Sequence, residues 1–564
     1  MPHWPPVLLL ALRPLRAAEG RIIQAGSSNV ALSAWKEMHY VVGSGPSAVA
    51  CASALLKRGR SVCMLDAGIQ LEPERARLVQ TLSQTAPDQW RPKDVQCLKE
   101  GMDPTVSGIP QKRIFGSNYP YRDAVQHLGL TSEGVGLEAS LALGGFSTVW
   151  GASMLPCLEG DVTDWPISVS QLAPHYKSVL ELTGMSAERD GLTDLLPLHI
   201  ESPGHLEASR QAQAMLRAMD RHRKGLVKAG VYHGRARVAI KAACGPKDPG
   251  CVYCGMCMYG CPYGYIYSSE QTLPQLKRAG DFRYQPDVIV RTVQESANRV
   301  RISGYHRLTR EPLEFEAERV YLAAGVIPTT GILLRSLQAY DRPVPIKDSQ
   351  YFLLPVALAK RIANVRQEAL HALSQLYLEI LDPKVSSHTV HLQVYSYNDL
   401  IGRTVSGALG PLAKWLPFLA RELEGRLLLI QGYLHSTESS RILATLRKNP
   451  ADGKDILRLQ AEANPATKTV VRRVVRKLLG QAHRLGGVPL PMLLQMGKPG
   501  RGFHSGGSFP MRSNPGAFET DISGRPAGWR RVHAVDATIL PSIPTTTITL
   551  TVMANAHRIG CDTP

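Results

Sequence analysis

The run His39-Tyr-Val-Val42 passes directly into Gly43-Ser44-Gly45-Pro46-Ser47-Ala48, and this junction restricts the chain to a narrow class of folds. The first four residues read as a short buried strand. Gly43 permits the turn, Gly45 lets an anion come up against the backbone, and Ala48 is small enough for a helix to lie close on the strand. From Ser47 to Lys57 the residues are small and apolar at helical spacing, with Gly59 as a left-handed stop. Ser61 to Leu65 forms a second strand that ends at Asp66. The helix start faces a pyrophosphate with free N–H groups, and Asp66 stands where it can accept hydrogen bonds from an adenosine ribose. Gly43, Ser44, Gly45, Pro46, Ser47 and Asp66 are the expected dinucleotide contacts.

Two later pieces repeat this grammar. Arg319-Val-Tyr-Leu-Ala-Ala324-Gly325 reads as a buried strand meeting a glycine turn, followed by a helix over Thr330–Leu337. Val532-His-Ala-Val-Asp536-Ala537 reads as a strand and turn leading into a helix from Ile548 to Ile559. Upstream of both, Leu143-Gly144-Gly145-Phe-Ser147-Thr-Val-Trp-Gly151 suits a backbone lying flat against a ring or phosphate, although alone it is any tight turn. The expected fold class is α/β: a Rossmann-like nucleotide-binding domain assembled from discontinuous segments, plus an α+β substrate-binding domain. The expected boundaries are an N-terminal extension at 1–37, nucleotide-binding parts at 38–165, 281–337 and 500–564, a substrate or cap region at 166–280, and a substrate-binding domain at 338–499. Val470, Val471, Val474, Val475, Leu478 and Leu479 are expected on one face of a helix. Residues 408–434 are unusually apolar and broken by Pro411 and Pro417.

The second strong signal is Cys251-Val-Tyr-Cys254-Gly-Met-Cys257-Met-Tyr-Gly-Cys261-Pro262. Thiolates spaced in this way and closed by proline are how a short loop wraps an iron–sulfur cube. Cys251, Cys254, Cys257 and Cys261 are the expected ligands of a [4Fe–4S] cluster. A three-iron [3Fe–4S] centre, Cys244 as the fourth ligand, structural zinc and disulfides remain open beside it. The other cysteines (Cys51, Cys63, Cys97, Cys157, Cys561) are scattered, which does not look like a secreted disulfide framework and favours a reducing, cytoplasmic interior.

Lysine plus arginine outnumber acids 65 to 47, a net charge of +18, and no acidic residue falls between Ala463 and Arg512. Such a stretch suits an anionic or glycan-type substrate or a peripheral membrane contact, while a solvated helix face is the plainer reading. Aromatic residues are only 6% and are not interleaved with the basic run, so nucleic acid is not an expected partner. No apolar run reaches the length needed to cross a bilayer.

In this order the pieces resemble the glucose–methanol–choline oxidoreductases, which bind FAD and oxidise alcohols. The residues that carry the resemblance run nearly the whole length from Met38: VVGSGPSA, LGGFSTVWGA, Asp164-Trp-Pro-Ile-Ser with Leu172-Ala-Pro-His-Tyr176, LAAGVIPTTGILLRS, and the His504 loop with VHAVDATILPS. The LGGFSTVWGA form is similar to the sugar-oxidising branch. The resemblance implies FAD contacts at Gly144, Gly145, Ser147, Ala324, Asp536, Ala537 and Thr547, with His504 facing the flavin beside the substrate carbon. Imidazole suits the proton half of alcohol oxidation. The family usually places a second histidine or an asparagine about eleven residues after that aspartate, and here Thr547 stands there. Threonine can hydrogen-bond a substrate oxygen but cannot shuttle a proton at neutral pH. Either His504 works alone or His388, His391 or His435 fills the gap, each of which also reads as an ordinary structural histidine.

The expected function is FAD-dependent oxidation of an alcohol or sugar hydroxyl. Electrons would leave through the cysteine-loop cluster to a quinone, cytochrome, ferredoxin or partner subunit. The alternative is an oxygen-dependent oxidase with structural cysteines. A rival of another class is a basic, iron–sulfur-bearing nucleic-acid or membrane-binding protein that uses the fold only as a scaffold.

Overall fold

The computed structural model describes residues 38–101, 111–403 and 417–563; the extension at 1–37 and part of the apolar stretch at 408–434 lie outside them. It shows a mixed α/β fold with several sheets. The strand His39–Val42, the helix Pro46–Lys57 and the strand Val62–Leu65 stand as the sequence suggests, with the two strands parallel and His39 opposite Val62. Arg319–Leu322 pairs with the other side of His39–Val42, Val532–Ala534 pairs with Arg319–Leu322, and Phe282–Gln285 closes the far edge. One five-stranded parallel sheet is thus drawn from four separated stretches of chain. All its turns toward the following segments emerge at one end, where a parallel sheet presents its ligand crevice.

The helix after Arg319–Leu322 begins at Val326, earlier than Thr330, because Pro328 falls in its first turn, where no N–H is needed. Among the described residues of 408–434, Pro417–Arg426 is helical and Leu427–Tyr433 is a strand.

The second large sheet is antiparallel, in the order Gly487–Pro489, Tyr351–Leu358, Leu427–Tyr433, Val390–Tyr395, Leu376–Ile380, Val231–Arg235. Strand alternation divides its two faces. Phe352, Leu354, Leu376, Leu378, Val390, Leu392, Leu428 and Ile430 form one core with the helices Arg210–Arg221 and Pro465–Gly480. In the latter helix Val470, Val471, Val474, Val475 and Leu478 are buried, but Leu479 is 38% exposed: at 100° per residue it has turned past the apolar stripe. The opposite face of the sheet covers the end of the parallel sheet. No helix among the described residues is long and apolar enough to cross a membrane.

Candidate functional site

Between the parallel sheet and the covering sheet lies a cavity of about 770 Å³, within the size range of small-ligand sites. One end is built by the first strand–helix turn. Gly43 has φ +104°, and a Cβ there would stand 2.5 Å from the carbonyl oxygen of Ala323, so only glycine lets the two strand ends meet. At Gly45 a Cβ would meet nothing within 4 Å: it would project into the cavity. The helix that starts at Pro46 has no side-chain cap and no acid in its first turn, so its positive end is free to receive an anion.

Gly43, Ser44, Gly45, Pro46, Ser47 and Asp66 all line this end. The Ser44 hydroxyl donates to Asp66 Oδ2 (2.7 Å) and accepts from Gly144 N–H (2.9 Å), while Tyr284 donates to the same Asp66 oxygen (3.0 Å). Burial pushes the Asp66 carboxyl up to about 6 against these bonds. Gly144 braces Ser44 without lining the cavity, whereas Gly145 and Ser147 line it. The Ser147 hydroxyl is bound to Gly144 O (2.5 Å) and Ser269 (3.0 Å). Ala324, Asp536 and Ala537 complete the wall. Asp536 spends both oxygens on the scaffold, accepting from Gly325 N–H, Thr329 and Thr538 N–H at 2.9, 2.6 and 3.0 Å.

The other end carries His504, held in place from below. His504 O accepts from Ser349 N–H (2.9 Å). The buried Asp348 accepts from Gly500 N–H (2.7 Å) and from Ser505 Oγ (2.8 Å), so one carboxyl grips both sides of the loop, and burial raises it to about 7. The imidazole stacks on Tyr433 with centroids 4.7 Å apart. The residue is half-buried and lines the cavity, and its Nδ1 is buried with no hydrogen-bond partner. Burial, with a smaller contribution from nearby His391, lowers its pKa to about 3, so the ring is neutral at working pH. Thr547 lines the cavity too, but its hydroxyl donates to Ser153 O (3.1 Å), turned into the wall.

The covering sheet gives His391 partners that the sequence left unnamed. Glu379, His391, Tyr433 and Tyr351 lie in register across four strands on the cavity face. His391 Nδ1 is 2.7 Å from Glu379 Oε1, both fully buried, and the Glu379 carboxyl is raised by that burial. Tyr433 stacks against both His391 and His504. Of the three histidines that could assist His504, His391 is the one brought near it. His388 and His435 stack on each other beside Asp161, 3.7 Å between ring centres, and do not line the cavity.

The cysteine loop adjoins this cavity. Cys251, Cys254, Cys257 and Cys261 all face one small hollow, whereas Cys244 is exposed and takes no part in it. None is in a disulfide. Ala372 N–H donates to Cys257 Sγ and Tyr265 N–H to Cys261 Sγ, each at 3.3 Å. Burial pushes Cys251 up to about 11 and Cys254 to about 12, and mutual repulsion of the thiols adds to it. Among the described residues, these thiols do not converge within the 4.8 Å that a single ion would demand. Met258, next to Cys257, lines the large cavity, as does Lys112, whose buried ammonium is lowered to about 8 and is close enough to Cys257 to feel its charge.

No protein-family profile matches the chain, and no curated protein matches it either. Solved structures do. Pyridoxine 4-oxidase from Mesorbium loti superposes with a TM-score of 0.54 at 14% identity, covering 93% of this chain and 98% of that one. A variant of formate oxidase from Aspergillus oryzae RIB40, studied for the effect of a mutation on FAD modification, gives 0.59 at 13% identity with the same coverage. The chain shares the fold of these oxidases. At such low identity the likeness extends to fold alone, and it does not speak for the iron–sulfur expectation, which rests on the chain's own thiols.

Proposed function

We propose that this oxidase-like fold serves an FAD-dependent oxidoreductase of the glucose–methanol–choline type, acting on the CH–OH group of an alcohol or sugar. One observation carries the reading. A single cavity has a dinucleotide cradle at one end and, at the other, a neutral imidazole whose buried Nδ1 has no protein partner. FAD, when bound, supplies the acceptor for the substrate hydride.

The chain's own residues do the rest. The uncapped helix start and Gly45 hold the pyrophosphate, and Asp66 holds the ribose. His504, fixed by Tyr433 and by the Asp348 grip on its loop, takes the hydroxyl proton. A ring with a pKa of about 3 is always available as a base, but it needs help once it becomes charged. Glu379, paired with the His391 that lies near this ring, is one source of compensating negative charge. The covering sheet and Phe503, tilted against Phe146 with ring centroids 4.9 Å apart, shield the substrate end.

The four loop thiols are read as the site of an iron–sulfur centre because of their spacing, because they share one hollow, and because two of them already receive N–H···S bonds. Such a centre would supply single-electron transfer to a quinone, cytochrome, ferredoxin or partner subunit. The second reading, an oxygen-using oxidase with structural cysteines, is favoured by the names of both structural neighbours. Anaerobic titration with a panel of alcohols and sugars tests the common core: one of them must bleach the bound flavin. Purified protein that is colourless and stays so when given FAD refutes both readings. Iron in the protein and slow peroxide formation on exposure to air favour the dehydrogenase; no iron and rapid peroxide favour the oxidase.

A further inference from the structure

Away from the cavity, three metal-ligating side chains converge on the C-terminal helix Thr549–Asp562. Among the described residues, His175, His557 and Cys561 are the one group of three or more such side chains whose ligand atoms lie within 4.8 Å of one another. His557 and Cys561 are four apart and share one face of that helix, while His175 projects from the helix Val169–Thr183 packed against it. Cys561 Sγ is 3.6 Å from His557 Nδ1. A tetrahedral zinc with Zn–N of about 2.0 Å and Zn–S of about 2.3 Å sets that separation at about 3.6 Å. The two Nδ1 atoms are 2.9 Å apart and need to part by only about half an ångström to flank such an ion.

We propose that His175, His557 and Cys561 form a binding site for a zinc-class divalent cation, which clips the C-terminal helix to the helix Val169–Thr183. The surrounding charges suit it. Burial lowers both imidazoles, His557 to about 4, so each offers a neutral nitrogen, as ligation requires. Burial and the neighbouring Asp562 raise the Cys561 thiol, with Arg58 and Lys57 offsetting part of that, so a bound cation would have to draw off its proton, and Asp562 and Arg558 bear on His175 with opposite signs. Three protein ligands leave the fourth position to water or to the Asp562 carboxylate. The clip has a structural purpose: Thr549 and Val552, at the start of the same helix, line the large cavity.

The test uses the full-length holoprotein, freed of loosely held metal by dialysis against a chelator and then equilibrated anaerobically with Zn(II). Wild type should bind one more zinc per chain than either Cys561→Ser or His175→Gln, and zinc should raise its thermal midpoint but not theirs. Because the loop thiols also bind metals, Cys257→Ser serves as a control: the Cys561-dependent equivalent must survive in it. Equal zinc content in wild type and both variants would overturn the site. So would loss of that equivalent in Cys257→Ser, or binding of Cu(I) by these three residues to the exclusion of zinc.

Discussion

Replacing His504 with glutamine tests the claim that a neutral, largely desolvated imidazole sits at the reacting end of the cavity. In the folded protein this ring protonates only near pH 3, while in the unfolded chain it protonates near 6.5. Below pH 6.5 the unfolded state takes up a proton that the folded state refuses. The native state therefore loses stability as pH falls from 6.5 toward 3. Between pH 7.5 and 5.0 the loss attributable to this ring is about 2 kcal/mol. The glutamine variant does not carry that loss, and other buried titrating groups, Asp348 among them, are common to both proteins and cancel. Thermal unfolding of both proteins, saturated with FAD, should show the variant gaining on wild type by about 2 °C on going from pH 7.5 to 5.0. Anaerobic flavin reduction by substrate should also slow by about 10²–10⁴-fold in the variant. An unchanged gap between the two melting temperatures at both pH values would show that the ring is solvated. Undiminished flavin reduction would remove it from the chemistry.

Three further outcomes are expected. Gly43→Ala places a methyl group against the Ala323 carbonyl in a backbone conformation that alanine resists, so the purified variant should be colourless, read by its visible absorbance. Glu379→Gln removes the negative charge behind His391 and should lower the limiting rate of flavin reduction about tenfold, about 1.4 kcal/mol of barrier, with little change in KM; an unchanged rate would confine the pair to a packing role. Cys257→Ser should lower iron content and slow reduction of a one-electron acceptor while substrate still bleaches the flavin, and equal iron in variant and wild type would end the cluster reading.

Four of the five strands of the parallel sheet were legible because each carries its own punctuation: a glycine turn at Gly43 and Gly325, and an acid at Asp66 and Asp536; Phe282–Gln285 carries neither. Those signals are local. The Glu379–His391–Tyr433 line is not, since it depends on the register of strands separated by turns, helices and loops. A faint signal existed in Val390-His-Leu-Gln-Val-Tyr395, whose polar residues recur every second position and all fall on the cavity face. Counting from Asp536 reaches Thr547, which lines the cavity, but nothing in the sequence announces that its hydroxyl is spent on Ser153. Spacing grouped the loop cysteines, and only the fold could exclude Cys244 from their hollow. The pairing of His175 with Cys561 was invisible for the same reason as the sheet register: the two belong to helices almost four hundred residues apart in sequence.

Asp348 carries a consequence for how such an enzyme would respond to acidity. Its proton comes and goes close to neutrality, and its two oxygens suspend the segment that bears His504 from either side. Above that point both oxygens can only accept; below it one becomes a donor and must find a different partner. An inflection in turnover near pH 7 would then belong to a residue that never meets the substrate, and the imidazole doing the chemistry would be silent throughout that range.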